Sequence, residues 1–377
     1  MNNIETEKLN KEEMYAEWLC CVNGFGPKTI DKLFNKYKSF ERIYNADFNC
    51  NYKEFMNSRQ LESFNLQKSR IDPQRCHEIN LSKGIAFISY QNPFFPEKLK
   101  NIPDTPAGLF YIGSLPDPHK PSVAIVGARM CSEYGRYIAR EFGEALSVAG
   151  FQVISGLARG VDGISQKAAL DAKGSSYGIM GCGVDICYPE DNESIYKRLK
   201  KNGGIISEYP PGTQPRPSLF PLRNRIISAL SDALLVVEAK KKSGTAITVD
   251  MALEQGKEVF AVPGRITDRL SDGCNLLLSQ GAEIALSPET IIKSFGKELS
   301  EISDTTQNIF TELLSEEEQN ILDILDLNPR SVSFIQEEAL RKDINIGVSE
   351  LMNVLVMLVI KGFAAQEGNY FSKKVMC

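Results

Sequence analysis

The sequence predicts an α/β protein: a doubly wound, mostly parallel sheet, preceded by a helical domain and followed by a small three-helix domain. Three observations carry the prediction. Between residues 121 and 288, seven short apolar runs alternate with helical stretches. These runs are continuous rather than alternating, the mark of strands covered on both faces. Residues 13–80 and 313–377, in contrast, carry helical periodicity. The 377-residue length accommodates two or three domains of about 100–200 residues each. A content of 42% hydrophobic and 24% charged residues belongs to a folded chain, not a disordered one.

The first domain, residues 1–80, reads as helices. EMYAEWLCCV and TIDKLFNKYKSFERIY each place apolar residues on one helical face, and Asn23-Gly24-Phe25-Gly26-Pro27-Lys28 lies between them. A Gly-x-Gly turn joining two short helices resembles a helix–hairpin–helix element, whose turn N–H groups can contact a phosphate. Lys28, Lys32, Lys36, Lys38 and Arg42 follow, against Asp31 and Glu41; the alternative is a plain turn beside a solvated lysine face. GIAFISY, residues 84–90, reads as a strand near the start of the second domain, residues 81–295. The proline-rich stretch 92–113 reads as a connection that packs but carries no chemistry.

The strands of the main sheet are SVAIVG (122–127), FQVIS (151–155), SYGIMG (176–181), GGIIS (203–207), DALLVVEA (232–239), KEVFAVPG (257–264) and AEIAL (282–286). Their alternation with helices is a Rossmann-like pattern, and such folds bind ligands at the carboxyl ends of the strands. Residues 296–312 are polar and acidic and read as a linker. Residues 313–377 hold three helical patterns and a hairpin around Glu367-Gly368-Asn369, which suggests a winged helix.

Composition narrows the function. The net charge of −5, from 43 basic and 48 acidic residues, excludes a uniformly basic nucleic-acid coat but leaves room for a local basic groove. The acidity sits in the tail: net charge is +2 over residues 1–100, zero over 101–300 and −7 over 301–377. No 18-residue apolar run exists, so no membrane partner is expected. The N-terminus has no apolar signal core, and the nine cysteines read as reduced thiols of a cytoplasmic protein. His77 and His119 are the whole histidine supply and the cysteine spacing is irregular, so neither a metal site nor a histidine-based triad is expected. GxxxxGK[ST] is absent, the first glycine turn is not GxGxxG, and no cofactor is expected.

Candidate binding residues gather at the strand ends. The first strand ends in Gly127-Ala128-Arg129, a tight turn before a helix that Ser132 can cap. Arg129 adds a permanently charged, planar donor fork suited to phosphate. The second strand runs into Ser155-Gly156 and on to Gly160-Val161-Asp162-Gly163, where Asp162 caps a helix or holds the loop. The third ends in Gly181-Cys182-Gly183. Together these turns make a broad crevice, a better match for a nucleic-acid backbone than for one small anion. Arg216, Phe220, Arg223, Asn224 and Arg225 then lie within ten residues. Arginine interleaved with an aromatic is the chemistry of single-stranded nucleic acid: arginine holds phosphates and the ring stacks a base. Two residues apart, Arg223 and Arg225 cannot both occupy one helical face, and internal pairing with Glu208 or Glu238 is the alternative role. Finally Lys242, Ser243, Gly244 and Thr245 open a helix with amides, hydroxyls and a cation around a potential anion. No catalytic residue or metal ligand is assigned.

These segments together resemble the DNA-processing protein A family (DprA, or Smf). The carriers are VGARxxSxYG at 126–135, SGLARGVDGISQKAAL at 155–170, GIMGCGVDICYPEDN at 178–192, GGIISEYPPG at 203–212, FPLRNRIISALS at 220–231, VVEAKKKSGTAIT at 236–248, EQGKEVFAVPG at 254–264 and GCNLLLSQGA at 273–282. The resemblance implies an extended Rossmann fold, an N-terminal helix–hairpin–helix or SAM-like domain and a C-terminal winged helix. It implies a homodimeric, sequence-independent binder that protects single-stranded DNA and loads the RecA recombinase in DNA uptake, transformation and recombination, with a single-strand-binding protein as a further candidate partner. Arg129 matches the arginine of the family's Gly-Ser-Arg turn, and Phe220, Arg223, Asn224 and Arg225 match its F-x-x-R-N-R segment. Three positions depart from the pattern: Ala128 replaces the turn's hydroxyl residue, Gln166 replaces a histidine, and Pro217 stands where many members have a DNA-contacting lysine, leaving Arg216 as the substitute. The last helical pattern, 347–361, carries only Glu350 and Lys361 as charges. A helix reading duplex DNA needs cations, so this domain is expected to contact protein or to self-associate. The competing reading is a nucleotide enzyme similar to phosphoribohydrolases, with Glu208, Asp162 or Glu238 as base; a third is a scaffold that only recruits recombinase.

Overall fold

The computed structural model describes residues 3–48, 52–296 and 314–374. The expected linker, beyond residue 296, lies outside the described residues. The chain forms two compact units, residues 1–130 with 139–295, and residues 131–138 with 296–377.

The first unit opens with the α-helices α1 (Asn3–Cys20), α2 (Pro27–Tyr37), α3 (Phe40–Asn45), α4 (Ser58–Arg70) and α5 (Pro73–Ser82), with a short 3-10 turn at Tyr52–Glu54. Local chemistry sets their starts. The Ser39 hydroxyl accepts from the Arg42 amide, Asn57 and Gln60 form a reciprocal capping box, and Asp72 accepts from the Arg75 amide. Pro27 and Pro73 occupy first-turn positions, where the missing N–H costs nothing. The helices close on Trp18, Leu33, Phe40, Ile43 and Phe64, all essentially inaccessible to solvent, and each such burial contributes about 1.5–3 kcal/mol. Trp18 donates its indole N–H to the Ile71 carbonyl at 2.8 Å, so its one polar atom is satisfied. The Gly24–Lys28 turn is bolted in place: Gln60 donates to the Gly24 carbonyl at 2.8 Å, and Lys28 pairs with Asp104 at 3.0 Å.

The sheet follows. Its strands are β1 (Ala86–Ser89), β2 (Gly108–Gly113), β3 (Ser122–Val126), β4 (Gln152–Ser155), β5 (Ser176–Ile179), β6 (Gly203–Ser207), β7 (Ala233–Val236), β8 (Glu258–Ala261) and β9 (Glu283–Ile284). Its helices are α6 (Glu97–Lys100), α7 (Glu133–Val148), α8 (Val161–Asp171), α9 (Glu193–Leu199), α10 (Leu219–Leu230), α11 (Gly244–Glu254), α12 (Asp272–Ser279) and α13 (Pro288–Ser294). Ser132 caps α7, accepting from the Gly135 amide at 3.1 Å. Strand order is β1-β2-β6-β5-β4-β3-β7-β8-β9. From β6 to β9 every pairing is parallel, while β2 runs antiparallel to both β1 and β6. All seven predicted strands of the 121–288 region are present, and β3, β4, β5 and β7 are buried along their whole length, as the continuous apolar runs require.

One expectation is corrected. The stretch 92–113 is not only a connection: GLFYIG forms β2, in register with β6 as Phe110↔Ser207 and with β1 as Phe87↔Phe110. Its six residues are bracketed by proline and glycine, and what makes them a strand is pairing with a partner nearly a hundred residues away. The carboxylate of Glu13 in α1 accepts from the Ser89 amide and hydroxyl, both at 2.7 Å, fastening the helical region to this edge of the sheet.

The second unit contains α14 (Glu316–Leu322), β10 (Arg330–Ser331), α15 (Val332–Arg341), α16 (Val348–Ile360), β11 (Ala364–Glu367) and β12 (Tyr370–Lys373). The three strands form an antiparallel sheet in the order β10-β12-β11. Glu367 pairs with Tyr370 across a tight turn, in which Gly368 adopts φ of 63°. Ile321, Ile335, Leu351, Leu355, Leu358 and Phe371 form this unit's own core. Among the described residues, no helix is long and apolar enough to cross a membrane.

Candidate nucleic-acid interface

The order of the strands reverses direction at β3, with β4 on one side and β7 on the other. In an open α/β sheet, that switch point leaves a crevice at the carboxyl ends of the strands. A cavity of about 550 Å³ lies there, lined by the turn after β3, the start of α10, the segment after β7 and the first turns of α11. Gly127, Ala128, Arg129, Phe220, Arg223, Asn224, Ser243, Gly244 and Thr245 all line it.

The floor is built from the chain between β4 and α8. Gly160 has φ of +74°, and a Cβ there would fall 2.3 Å from the Ala128 carbonyl oxygen. Only glycine lets the α8 start lie directly under the Gly127–Arg129 turn. The Val161 amide donates to that same carbonyl at 3.3 Å. Asp162 is buried, and its carboxylate accepts from the Gly156 amide at 3.1 Å. Burial raises its pKa; the neighbouring Arg223 and hydrogen bonds from Ser155 and backbone amides oppose the rise. Asp162 thus holds the loop. Gln166, one of the departures noted above, is fully buried: its side chain accepts from the Leu157 amide and donates to the Ser176 hydroxyl and Tyr177 carbonyl.

The two arginines of α10 separate, as a spacing of two dictates. Arg223 is 5% exposed and points down into the floor, donating to the Gly156 carbonyl at 3.0 Å and to the Ile179 carbonyl. Burial pulls its pKa down to about 10, against the pull of Asp162, so it stays charged at neutral pH. Arg225 does not line the crevice. Its guanidinium grips both Glu208 carboxylate oxygens at 2.7 and 2.6 Å and donates to the Asp104 carbonyl at 3.1 Å. Ser155 and Gly156 lie beneath the crevice rather than on it: the Ser155 hydroxyl is fully buried and donates to the Ile125 carbonyl at 2.6 Å. Arg216 and Lys242 are exposed but outside the lining, where Pro217 and Lys240 stand instead.

The walls combine charge, ring and amide. Arg129 is exposed, with its guanidinium carbon 5.8 Å from the Phe220 ring centroid. Tyr188, absent from the predicted set, stacks on Phe220 with centroids 5.4 Å apart and planes 23° from parallel. Its sequence context, between Cys187 and Pro189, offers no periodicity that would single it out. At the far end Ser243 immediately precedes α11. Its hydroxyl oxygen is buried without a hydrogen-bond partner, next to helix amides whose partial positive charge favours an anion. Among the described residues no group of three or more His, Cys, Asp or Glu side chains is placed to hold a metal ion.

Residues 86–296 match the family model described as DNA recombination-mediator protein A. The chain belongs to that family. Protein Smf of Synechocystis is 33% identical over 294 residues, covering 76% of this chain and 73% of the relative. DNA processing protein DprA of Streptococcus pneumoniae is 39% identical over 201 residues, 53% of this chain and 71% of the relative. The solved structure of the S. pneumoniae DprA superposes with a TM-score of 0.61 at 32% identity, covering 78% of this chain and 98% of that one. A Helicobacter pylori DprA structure, described by its single-stranded DNA binding mode, gives 0.50 at 29% identity over 55% of this chain and 95% of that one. The family assignment falls on the sheet and its crevice, the part of the chain whose geometry is described above.

Proposed function

We propose that this DprA-family chain binds single-stranded DNA without regard to sequence, through the crevice at the β3/β7 switch point. The observation that carries the reading is the composition of that crevice. An exposed arginine, a stacked pair of aromatic rings and a helix start with an unpartnered hydroxyl share one cavity. These are the parts a single strand needs: cations and amides for phosphates, and π-faces for unpaired bases. The H. pylori DprA structure, described by its single-stranded DNA binding mode, supports the same reading. Within it Arg129, Lys240 and the Ser243–Thr245 amides hold phosphates, and Arg216 and Lys242 extend the cationic rim.

We read the role as non-enzymatic and cytoplasmic: protection of single strands and loading of the RecA recombinase during DNA uptake and recombination, by a homodimer. The carboxylates that a nucleotide hydrolase would use are committed elsewhere, Glu208 to Arg225 and Asp162 to backbone amides, while Glu238 is 1% exposed. We read residues 1–80, 81–295 and 313–377 as the domains, and the last as a winged helix that contacts protein.

The test is fluorescence anisotropy of labelled oligothymidylate and of its duplex at several salt concentrations, for wild type and Arg129→Ala. The expected result is selective, salt-sensitive binding of the single strand. Each lost phosphate contact lowers the salt slope by about 0.7, and loss of a charged hydrogen bond weakens binding about tenfold or more. Equal binding of duplex, or an unaffected Arg129→Ala, overturns the assignment. Light scattering of the free protein tests the dimer, and RecA filament growth on protein-coated strands tests the loading.

A further inference from the structure

We infer that the base-stacking surface of the crevice is Tyr188, with Phe220 serving as the ring that supports it. The inference rests on the single-stranded DNA reading above and assigns within it the residue that meets the base.

Phe220 is the expected stacking residue, yet in the fold it has little open surface to offer. It is half-buried at the start of α10. Its edge lies against Gly181, where an added Cβ would come within 2.6 Å of the ring. The Arg129 guanidinium carbon lies 5.8 Å from its centroid, and Tyr188 overlaps part of one face in an offset stack with centroids 5.4 Å apart. Tyr188 itself is 43% exposed and lines the same cavity as Arg129 and Asn224. An incoming base therefore meets the tyrosine first. To stack on Phe220 directly, it would have to displace a ring already in a favourable offset arrangement.

The arrangement also predicts a platform that tolerates any base. Stacking uses the π-face that every base has, and an offset aromatic pair presents a broad flat surface without a hydrogen-bond pattern to read. Arg129, beside the inner ring, is placed to hold the phosphate adjoining a base stacked on the outer one.

The experiment pairs three substitutions with a crosslink. Tyr188→Phe keeps the ring, Tyr188→Leu keeps apolar packing on Phe220 without a π-face, and Tyr188→Ala removes both. Affinity for oligothymidylate is expected to stay within about twofold in Tyr188→Phe. It is expected to fall about 5- to 100-fold in both Tyr188→Leu and Tyr188→Ala, the range that stacking one base supplies. A merely structural tyrosine would be rescued by leucine, so the leucine variant separates the two roles, and equal melting temperatures confirm that each variant is folded. In parallel, wild-type protein is irradiated with oligothymidylate carrying one 5-iodouracil, and the adduct is mapped by mass spectrometry. An adduct at Tyr188 together with weak binding by Tyr188→Leu supports the inference. Wild-type affinity in Tyr188→Leu, or an adduct at Phe220 alone, overturns it and leaves the single-stranded DNA reading standing. No binding of oligothymidylate by the wild-type protein at low salt overturns both.

Discussion

Arg225 and Arg129 offer a paired test of what the crevice is made of. Both are arginines of motifs that resemble the family's nucleic-acid segments, but the fold gives them opposite surroundings. The Arg225 side chain is 11% exposed and its partner Glu208 is 9% exposed. Four acceptors serve its guanidinium: two Glu208 oxygens at 2.7 and 2.6 Å, the Asp104 carbonyl at 3.1 Å and the Leu222 carbonyl at 2.9 Å. Replacing it with methionine strands a nearly buried carboxylate, and breaking a buried pair from one side costs about 3–5 kcal/mol. The pair keeps a little solvent exposure, so we take the lower figure. At about 2 °C per kcal/mol for a unit of this size, Arg225→Met should lower the melting temperature by about 6 °C. The double variant Arg225→Met/Glu208→Leu should recover part of that loss, since it leaves no unpaired charge. Affinity of folded Arg225→Met for oligothymidylate should stay within about twofold, by the logic that only groups facing the strand change its salt-dependent binding. Differential scanning calorimetry and anisotropy on the same preparations check both. An unchanged melting temperature with a tenfold or greater loss of affinity would refute the reasoning and return Arg225 to the strand.

Two further predictions separate floor from frame. Gly160→Ala forces a Cβ to within 2.3 Å of the Ala128 carbonyl at φ of +74°, so it should both destabilise the protein, by about 1–3 kcal/mol, and weaken oligothymidylate binding. Gly256→Ala, with φ of +67° but nothing within 4 Å of the added carbon, should destabilise without touching affinity. Lys98 pairs with Asp232 at 2.7 Å. Burial alone would raise the Asp232 pKa, but the hydrogen bond and charge of Lys98, with the Ser122 amide and hydroxyl, bring it below its ordinary value. A depressed carboxylate pKa contributes stability that is present above the unfolded value of about 3.9 and is lost as pH falls through the folded one. The stability gap between wild type and Lys98→Met should therefore be full at pH 7 and close below about pH 4, as read by urea unfolding across that range. A gap independent of pH would show that Lys98 acts only through packing.

The sheet was legible because burial on both faces writes itself into the sequence as uninterrupted apolar runs. SVAIV, QVIS and ALLV needed no partner information to be recognised. GLFYIG did, because its pairing with β1 and β6 is a long-range fact that no local window holds. The crevice was legible as a position, the glycine turns at strand ends, more than as a list of side chains. The spacing rule correctly divided Arg223 from Arg225, but it could not say which of them would find Glu208. That depends on α10 crossing near the end of β6, seventeen residues back in the chain. Tyr188 was missed for a related reason: its significance is a ring–ring contact with a residue thirty-two positions away. Ser155 and Gly156 are expected contacts because they sit at the end of β4, yet the Ser155 hydroxyl turns inward to the Ile125 carbonyl.

Arg223 shows how such a crevice can accept an anion at all. The carboxyl ends of parallel strands present carbonyl oxygens, and Asp162 adds its carboxyl oxygens beneath them. Left alone, that floor would repel a phosphate. Arg223 enters from α10 and donates to the carbonyls that follow β4 and end β5, Gly156 and Ile179, while standing beside Asp162. One buried cation thus offsets the carbonyls and stands beside Asp162, leaving the exposed charge of Arg129 and Lys240 uncancelled at the mouth. The close fit of Gly156 reflects the same demand: a Cβ there would stand 2.5 Å from the Arg223 guanidinium. A neutral isostere at 223 would leave Asp162 buried without its cation, so the floor would be expected to loosen before any strand arrived. On the single-stranded DNA reading, the buried Arg223 is a condition for the exposed Arg129 to meet a phosphate.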